Sequence, residues 1–176
     1  MNELIAFGRE LSVAFQVTDD LLNVGADPEE YGKEIGGDLW EGKRTLILLH
    51  AVRTASSSDR GQAMEILSRP RPPSDRVAQV QELLDHLVTV EELTPVGRAE
   101  LEREVWGGTT TVKTLAEVQW LFDLLGQQGS IDYAAGRART HADSAATRLE
   151  RLVWLGSSPH RAVLEGLVRY VHERSR

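Results

Sequence analysis

The chain has 176 residues, of which 41% are hydrophobic and 27% charged, as expected for one globular domain. Its net charge of -7 leaves no excess of lysine and arginine to neutralise phosphates, which excludes a nucleic-acid partner. The absence of cysteine excludes disulfides and thiolate metal sites and favours a cytoplasmic location. No apolar run approaches the roughly 20 residues that span a bilayer, so we expect a soluble protein without a transmembrane segment.

Apolar residues at helical spacing predict a first helix over residues 2–24. The segment from Gly25 to Gly42 breaks this pattern with five glycines and one proline, so it predicts a long loop that contains a short helical turn at most. The stretch R-P-R-P-P-S predicts a rigid connector, because proline does not fit a helix interior. Further helices are predicted over residues 44–55, 60–67, 75–90, 95–106 and 112–125.

The last part of the chain predicts two more helices. Ser130 is the expected N-cap of a long helix. Its apolar stripe comprises Ile131, Ala134, Ala138, Ala142, Ala145, Leu149, Leu152 and Val153. The final helix begins near Pro159 and is expected to bury Val163, Leu164, Leu167, Val168 and Val171. Since no period-two alternation indicates a strand, we predict an all-α fold, an antiparallel helix bundle forming a single helical domain over residues 1–176.

The first predicted helix has an arc of polar side chains that forms a candidate binding site. At about 100° per residue, the side chains of Ser12, Gln16, Asp19, Asp20 and Asn23 fall on one side of the first helix. Such an arc is either a solvated face or the lining of a cavity, and both interpretations stay open at this point. Adjacent carboxylates repel each other unless a cation lies between them, and oxygen ligands of this kind bind hard divalent cations.

Two other motif interpretations fail. The spacing from Gly37 to Lys43 approaches a phosphate-binding Walker loop, but Arg44 stands where a serine or threonine is needed and no strand precedes it. A calcium loop that starts at Asp20 would place Leu22 at a ligand position. The aspartate pair is therefore the only coherent candidate site in the sequence.

The segment from residue 8 to residue 45 resembles the second aspartate-rich region of the trans-isoprenyl diphosphate synthases, the polyprenyl synthetase family. The matching positions are Gly8, Phe15, Gln16, Asp19, Asp20, Gly32, Lys33, Gly36, Asp38, Gly42, Lys43 and Thr45. This resemblance implies the C-terminal part of the isoprenoid synthase fold. It also implies a prenyltransferase that condenses an allylic diphosphate with isopentenyl diphosphate in isoprenoid biosynthesis.

The resemblance further implies a Mg²⁺ site. Asp19 and Asp20 would bind the metal, and Asn23 stands where the family carries a third aspartate. An amide oxygen can bind Mg²⁺ but adds no charge, so we expect a lower metal affinity at this site.

The same resemblance assigns roles to four more side chains. Lys33 and Lys43 would bind the diphosphate oxygens, and Gln16 would face the departing diphosphate. Asp38 would orient Lys33 or a metal-bound water.

The family's first aspartate-rich motif has no counterpart in the sequence, and we expect the corresponding N-terminal half to be absent. The chain alone is therefore expected to have weak prenyl transfer or none, and to expose an apolar patch that requires a partner. Three hypotheses follow: the C-terminal half of a synthase, a non-catalytic subunit that docks on a full-length synthase, and a diphosphate-binding protein without chemistry. A homodimer or a heteromer with a synthase subunit is the expected assembly.

Overall fold

The structure, a computed structural model, describes residues 2–25, 36–72, 75–106 and 112–174. All regular secondary structure in these residues is helical, which confirms the predicted all-α fold. The α-helices are α1 (Asn2–Gly25), α2 (Gly37–Glu41), α3 (Leu46–Thr54), α4 (Ser57–Ser68), α5 (Asp75–Thr89), α6 (Pro95–Trp106), α7 (Leu115–Gln127), α8 (Ser130–Arg151) and α9 (Pro159–Arg174), with one 3₁₀ turn at Val153–Leu155.

The described residues form two compact units. Of the described residues, 2–25, 45–51 and 125–174 belong to the first unit, and 36–44, 52–72, 75–106 and 112–124 belong to the second. The single domain expected from the sequence stays a prediction.

In the first unit, helix α8 packs against α1 and α9. Phe7 of α1 lies in a buried cluster with Ala145 and Leu149 of α8, and Val168 of α9 joins the same cluster. Small side chains line α8 on this side, and each of them is fully buried: Ala134, Ala138, Ala142 and Ala145. Because the distance between two packed helices depends on the side chains at their contact, these alanines let α1 approach closely.

Side-chain pairs show the direction of α1 relative to α8. Glu3 near the start of α1 accepts a hydrogen bond from Arg148 near the end of α8, at 3.4 Å. Glu10, two turns later in α1, lies 2.7 Å from Nδ1 of His141, two turns earlier in α8. The two helices therefore run antiparallel, as the predicted bundle requires. These pairs are partly exposed, so each stabilises the bundle by about 1 kcal/mol at most.

The second unit contains the short helix α2 and the polar turn between α3 and α4. Ser56 caps α4, because its hydroxyl accepts a hydrogen bond from the backbone N–H of Asp59 at 3.1 Å. The guanidinium of Arg60 donates to the carbonyl oxygens of Val52, Arg53 and Ala55, which would otherwise lack partners at the end of α3. Local side-chain chemistry thus ends one helix and begins the next.

Several predicted helix starts were wrong. Helix α4 begins at Ser57 rather than near Arg60, because Ser56 caps it. Helix α7 begins at Leu115 rather than Val112, because Thr114 and Glu117 form a reciprocal pair of capping hydrogen bonds at 2.8 and 3.2 Å. Ser130 is not the N-cap of α8. The preceding Gly129 takes that position with φ of 60°, and the Ser130 hydroxyl instead lies 3.0 Å from Nδ1 of His50.

Three residues of the predicted apolar stripes are exposed. Val153 at the end of the α8 stripe is 79% exposed, because the chain leaves the helix at Leu152 and enters a 3₁₀ turn. On α9, Val163 is 62% exposed and Leu167 is 46% exposed. The buried stripe of α9 is therefore narrower than the sequence predicted.

Candidate functional site

The C-terminal half of α1 contains Gln16, Asp19, Asp20 and Asn23 of the predicted polar arc, and these four residues form an acidic arc. The side-chain amide Nε2 of Gln16 donates a hydrogen bond of 3.0 Å to Oδ1 of Asp20, one turn further along the helix. Asp20 is only 6% exposed, whereas Asp19 and Asn23 are half-buried and Gln16 is exposed. A buried carboxylate is costly unless hydrogen bonds or charges compensate it. The arc is thus not a simple solvated face.

Asp19 lines a small cleft beside this arc. Its other lining residues are Phe15, Thr18, Leu22, Tyr170 and Val171. The rings of Phe15 and Tyr170 stack with their centroids 6.5 Å apart and their planes inclined by 21°. The cleft has a cavity volume of about 10 Å³, close to the least that holds one water molecule. Tyr170 therefore stands next to the acidic arc, a neighbour that the sequence pattern did not indicate.

The donor atoms of the arc fit a hard cation. Asp19, Asp20 and Asn23 supply two carboxylates and one amide oxygen on adjacent turns, which is the ligand chemistry that Mg²⁺ prefers. In the described parts of the chain, no cluster of three or more acidic, histidine or cysteine side chains is suited to a metal ion. A metal at α1 would therefore depend on these two carboxylates, with the amide oxygen as the third protein ligand.

The second unit contains the rest of the predicted site, at a turn after α2. Lys43 Nζ lies 3.1 Å from both carboxylate oxygens of Asp38. The Lys43 side chain is 45% exposed, while that of Asp38 is 15% exposed. The family resemblance implied that Asp38 orients Lys33 or a metal-bound water, and its pairing with Lys43 was not predicted. Nearly half of the Lys43 side chain is therefore exposed to solvent.

The backbone of this turn is closed by two hydrogen bonds. The N–H of Gly42 donates to the carbonyl of Leu39 at 3.1 Å, and the N–H of Lys43 donates to the carbonyl of Asp38 at 2.8 Å. Gly42 has a φ of 68°, in the left-handed region that favours glycine. Together these features form a Schellman motif, which ends the helix and places Lys43 immediately after it.

The predicted residues fall into two groups. The structure brings Gln16 together with Asp20 in the first unit, and Asp38 together with Lys43 in the second. Lys33 lies outside the described residues.

A buried lysine lies near the Lys43 turn, and the sequence pattern did not indicate it. Lys113 is 1% exposed, and its Nζ donates a hydrogen bond of 2.7 Å to the carbonyl oxygen of Trp40. Burial lowers the pKa of its ammonium below the ordinary value of 10.5, and the nearby charge of Glu117 offsets part of this effect. The only signal in the sequence is that Lys33, Lys43 and Lys113 are the chain's three lysines among 20 basic residues.

Comparison with known proteins confirms the resemblance. Residues 1–85 match the family model described as polyprenyl synthetase. The short chain isoprenyl diphosphate synthase of Methanocaldococcus jannaschii is 30% identical over 78 residues, which cover 44% of this chain and 24% of that protein. The octaprenyl diphosphate synthase of Escherichia coli is 59% identical over 46 residues, which cover 26% of this chain and 14% of that protein.

A solved structure matches almost all of the chain. The crystal structure of geranylgeranyl pyrophosphate synthetase from Pyrococcus horikoshii aligns with a TM-score of 0.64 and 26% identity, covering 98% of this chain and 38% of that one. The chain is therefore a relative of the polyprenyl synthetase family that covers only part of the fold. It spans a quarter or less of the length of the curated relatives above. Within the described residues, no helix is long and apolar enough to cross a membrane.

Proposed function

We propose that the chain provides the second acidic helix and a diphosphate-binding turn of a polyprenyl diphosphate synthase. The enzyme would condense an allylic diphosphate with isopentenyl diphosphate, in the cytoplasm. The observation that carries the proposal is the buried Asp20 carboxylate, which Gln16 orients within the segment that matches the family. A buried acid with an aligned hydrogen-bond donor is typical of a preorganised site.

In this proposal Asp19, Asp20 and Asn23 hold Mg²⁺, in agreement with their oxygen donors. The ion supplies positive charge beside the leaving diphosphate. Gln16 holds the Asp20 carboxylate in place, and this contact is the support for its role in the site.

Lys43 and Lys33 bind the diphosphate oxygens in this proposal. The partly exposed side chain of Lys43, whose ammonium lies beside Asp38, supports its assignment. In the reaction the allylic C–O bond breaks and diphosphate leaves with its electron pair. A new C–C bond then forms to the double bond of isopentenyl diphosphate, and a proton is lost. Fixed positive charge lowers the barrier because negative charge develops on the leaving oxygens as the C–O bond breaks.

Calorimetric titration with a non-hydrolysable allylic diphosphate analogue tests the proposal, with and without Mg²⁺. We expect binding that requires Mg²⁺ and that Asp19→Ala abolishes. Asp123→Ala is the control, since it removes a helical aspartate from an exposed face that is outside the proposed site. Absence of binding to the folded chain, or equal losses in both variants, would contradict the proposal.

A non-catalytic subunit that docks on a full-length synthase is the second candidate. Exposed apolar side chains on α1 favour it, because Ile5 is 65% exposed and Phe15 is 51% exposed. Light scattering of the chain mixed with a purified full-length synthase tests this candidate. A stable heteromer without Mg²⁺-dependent diphosphate binding by the chain would support docking over catalysis. A homodimer of the chain, or no complex, would count against it.

A further inference from the structure

The carbonyl oxygen of Trp40 receives its hydrogen bond from a distant part of the chain. In the Schellman motif after α2, backbone N–H groups bond to the carbonyls of Asp38 and Leu39. The next carbonyl, that of Trp40, accepts from Nζ of Lys113 at 2.7 Å. Carbonyls at a helix C-terminus lack partners within the helix and interact favourably with a cation. Lys113 thus provides the hydrogen-bond donor for the Trp40 carbonyl at the C-terminal end of α2.

The backbone of Lys113 is also fixed. Its N–H donates to the carbonyl of Pro70 at 3.0 Å, in the proline-rich connector that follows α4. Proline limits the conformations of that connector, so the Lys113 backbone that is hydrogen-bonded to it has little freedom. The ammonium therefore reaches Trp40 from a well-defined position.

The contact leaves no space at Gly42. A Cβ atom on Gly42 would lie 3.3 Å from Nζ of Lys113 and 2.8 Å from the carbonyl oxygen of Leu67. The turn that leads into Lys43 is therefore packed against Lys113 on one side and against the end of α4 on the other. Movement of Gly42 would alter both contacts.

We propose that Lys113 is a positioning residue for Lys43: it holds the turn after α2 so that the Lys43 ammonium is kept beside Asp38 and ready for a diphosphate. Only the last step, the binding of diphosphate by Lys43, rests on the proposed function. The positioning of Lys43 rests on contacts within the second unit. A purely space-filling role does not require an amine, because methionine has a similar shape and costs no desolvation of charge. The hydrogen bond to Trp40 is the feature that methionine lacks.

The first test does not depend on diphosphate. The chain has three lysines, so an NMR spectrum of the ¹³C-lysine-labelled protein contains three sets of lysine side-chain signals. The Lys43 signal is identified by its loss in Lys43→Gln. Asp38→Asn shows how that signal shifts when the ion pair is removed. We expect Lys113→Met to move the Lys43 signal in the same direction, by most of the same amount. A Lys43 signal that stays at its wild-type position would overturn the inference.

The second test measures coupling. With Mg²⁺ and inorganic diphosphate as the probe, we expect Lys113→Met to raise the Kd about tenfold. In a Lys43→Gln background the same change should raise it by no more than about twofold, because the lost positioning acts through Lys43. Equal losses in both backgrounds would show general loosening of the fold and would overturn the inference.

Two further outcomes, a variant that does not fold and a wild-type chain that binds no diphosphate, still test the role of Lys113. If circular dichroism shows that Lys113→Met does not fold, Lys113→Gln replaces it in both tests, since it keeps a donor, and intermediate effects are expected. If the wild-type chain binds no diphosphate, the proposed function fails, and the Lys43 signal alone confirms or overturns the role of Lys113.

Discussion

The side-chain amide of Gln16 donates a hydrogen bond of 3.0 Å to the carboxylate of Asp20, and Asp20 is 6% exposed. Replacing Gln16 by alanine would remove this donor and leave a buried carboxylate less well compensated. We expect the free energy of unfolding to fall by about 1.5 to 3 kcal/mol, the usual worth of a hydrogen bond to a charged group. Urea denaturation measures the change.

The control for this prediction is Gln119→Ala. Gln119 donates to Asp123 at 3.2 Å with the same spacing, but both side chains lie on the exposed face of α7. We expect a loss of about 0.5 kcal/mol or less there. Equal losses at the two sites would show that burial of Asp20 adds nothing to the strength of its hydrogen bond.

Asn23→Asp should strengthen metal binding, because it adds a third carboxylate to the arc that contains Asp19 and Asp20. We expect the Kd for Mg²⁺, measured by calorimetry in the presence of diphosphate, to fall about tenfold. Asn2→Asp makes the same charge change at the opposite end of α1 and should have little effect. Equal gains in both variants would mean that overall charge, and not the arc, attracts the ion.

Gly42→Ala should destabilise the turn after α2. The residue has a φ of 68°, and a Cβ would lie 2.8 Å from the carbonyl oxygen of Leu67. We expect a loss of more than about 2 kcal/mol, from backbone strain and overpacking together. Gly129→Ala separates the two causes, because Gly129 has a φ of 60° with no atom within 4 Å of the Cβ position. Its loss, also measured by urea denaturation, should be about 1 kcal/mol. Equal losses would exclude a role for the close packing.

Lys113 should make stability depend on pH on the alkaline side. Burial lowers the pKa of its ammonium in the folded state below the ordinary 10.5 of the unfolded chain. Between these two pKa values the unfolded state binds more protons, so the free energy of unfolding rises with pH. We expect the difference in unfolding free energy between wild type and Lys113→Met to rise through this window and to level off above pH 10.5.

Urea denaturation of both proteins from neutral pH upward measures this difference, and the other titrating groups cancel in the comparison. Glu117 partly offsets the effect of burial, so Glu117→Gln should steepen the rise. A difference that is constant or falls with pH would contradict the prediction.

The sequence by itself determined the helices and the candidate acidic arc, because both depend on residues a few positions apart. Gln16, Asp20 and Asn23 share a face through the periodicity of a single helix, and the short helical turn expected before Gly42 is α2. Most of the loop predicted between α1 and α2, residues 26–35, lies outside the described residues. Helix starts that depend on one capping group, as at Thr114 and Gly129, were less predictable, since several nearby residues can serve as a cap. Lys33 and its predicted role lie outside the described residues.

Only the tertiary structure decided which polar groups are buried and which distant residues meet. The stacking of Tyr170 on Phe15 and the contact of Lys113 with Trp40 join parts of the chain that no local pattern connects. The exposure of Val163 and Leu167 likewise depends on the helices that surround α9, because an apolar stripe is buried only where a neighbouring helix covers it. Periodicity shows which side of a helix is apolar, whereas packing determines how much of that side is removed from water.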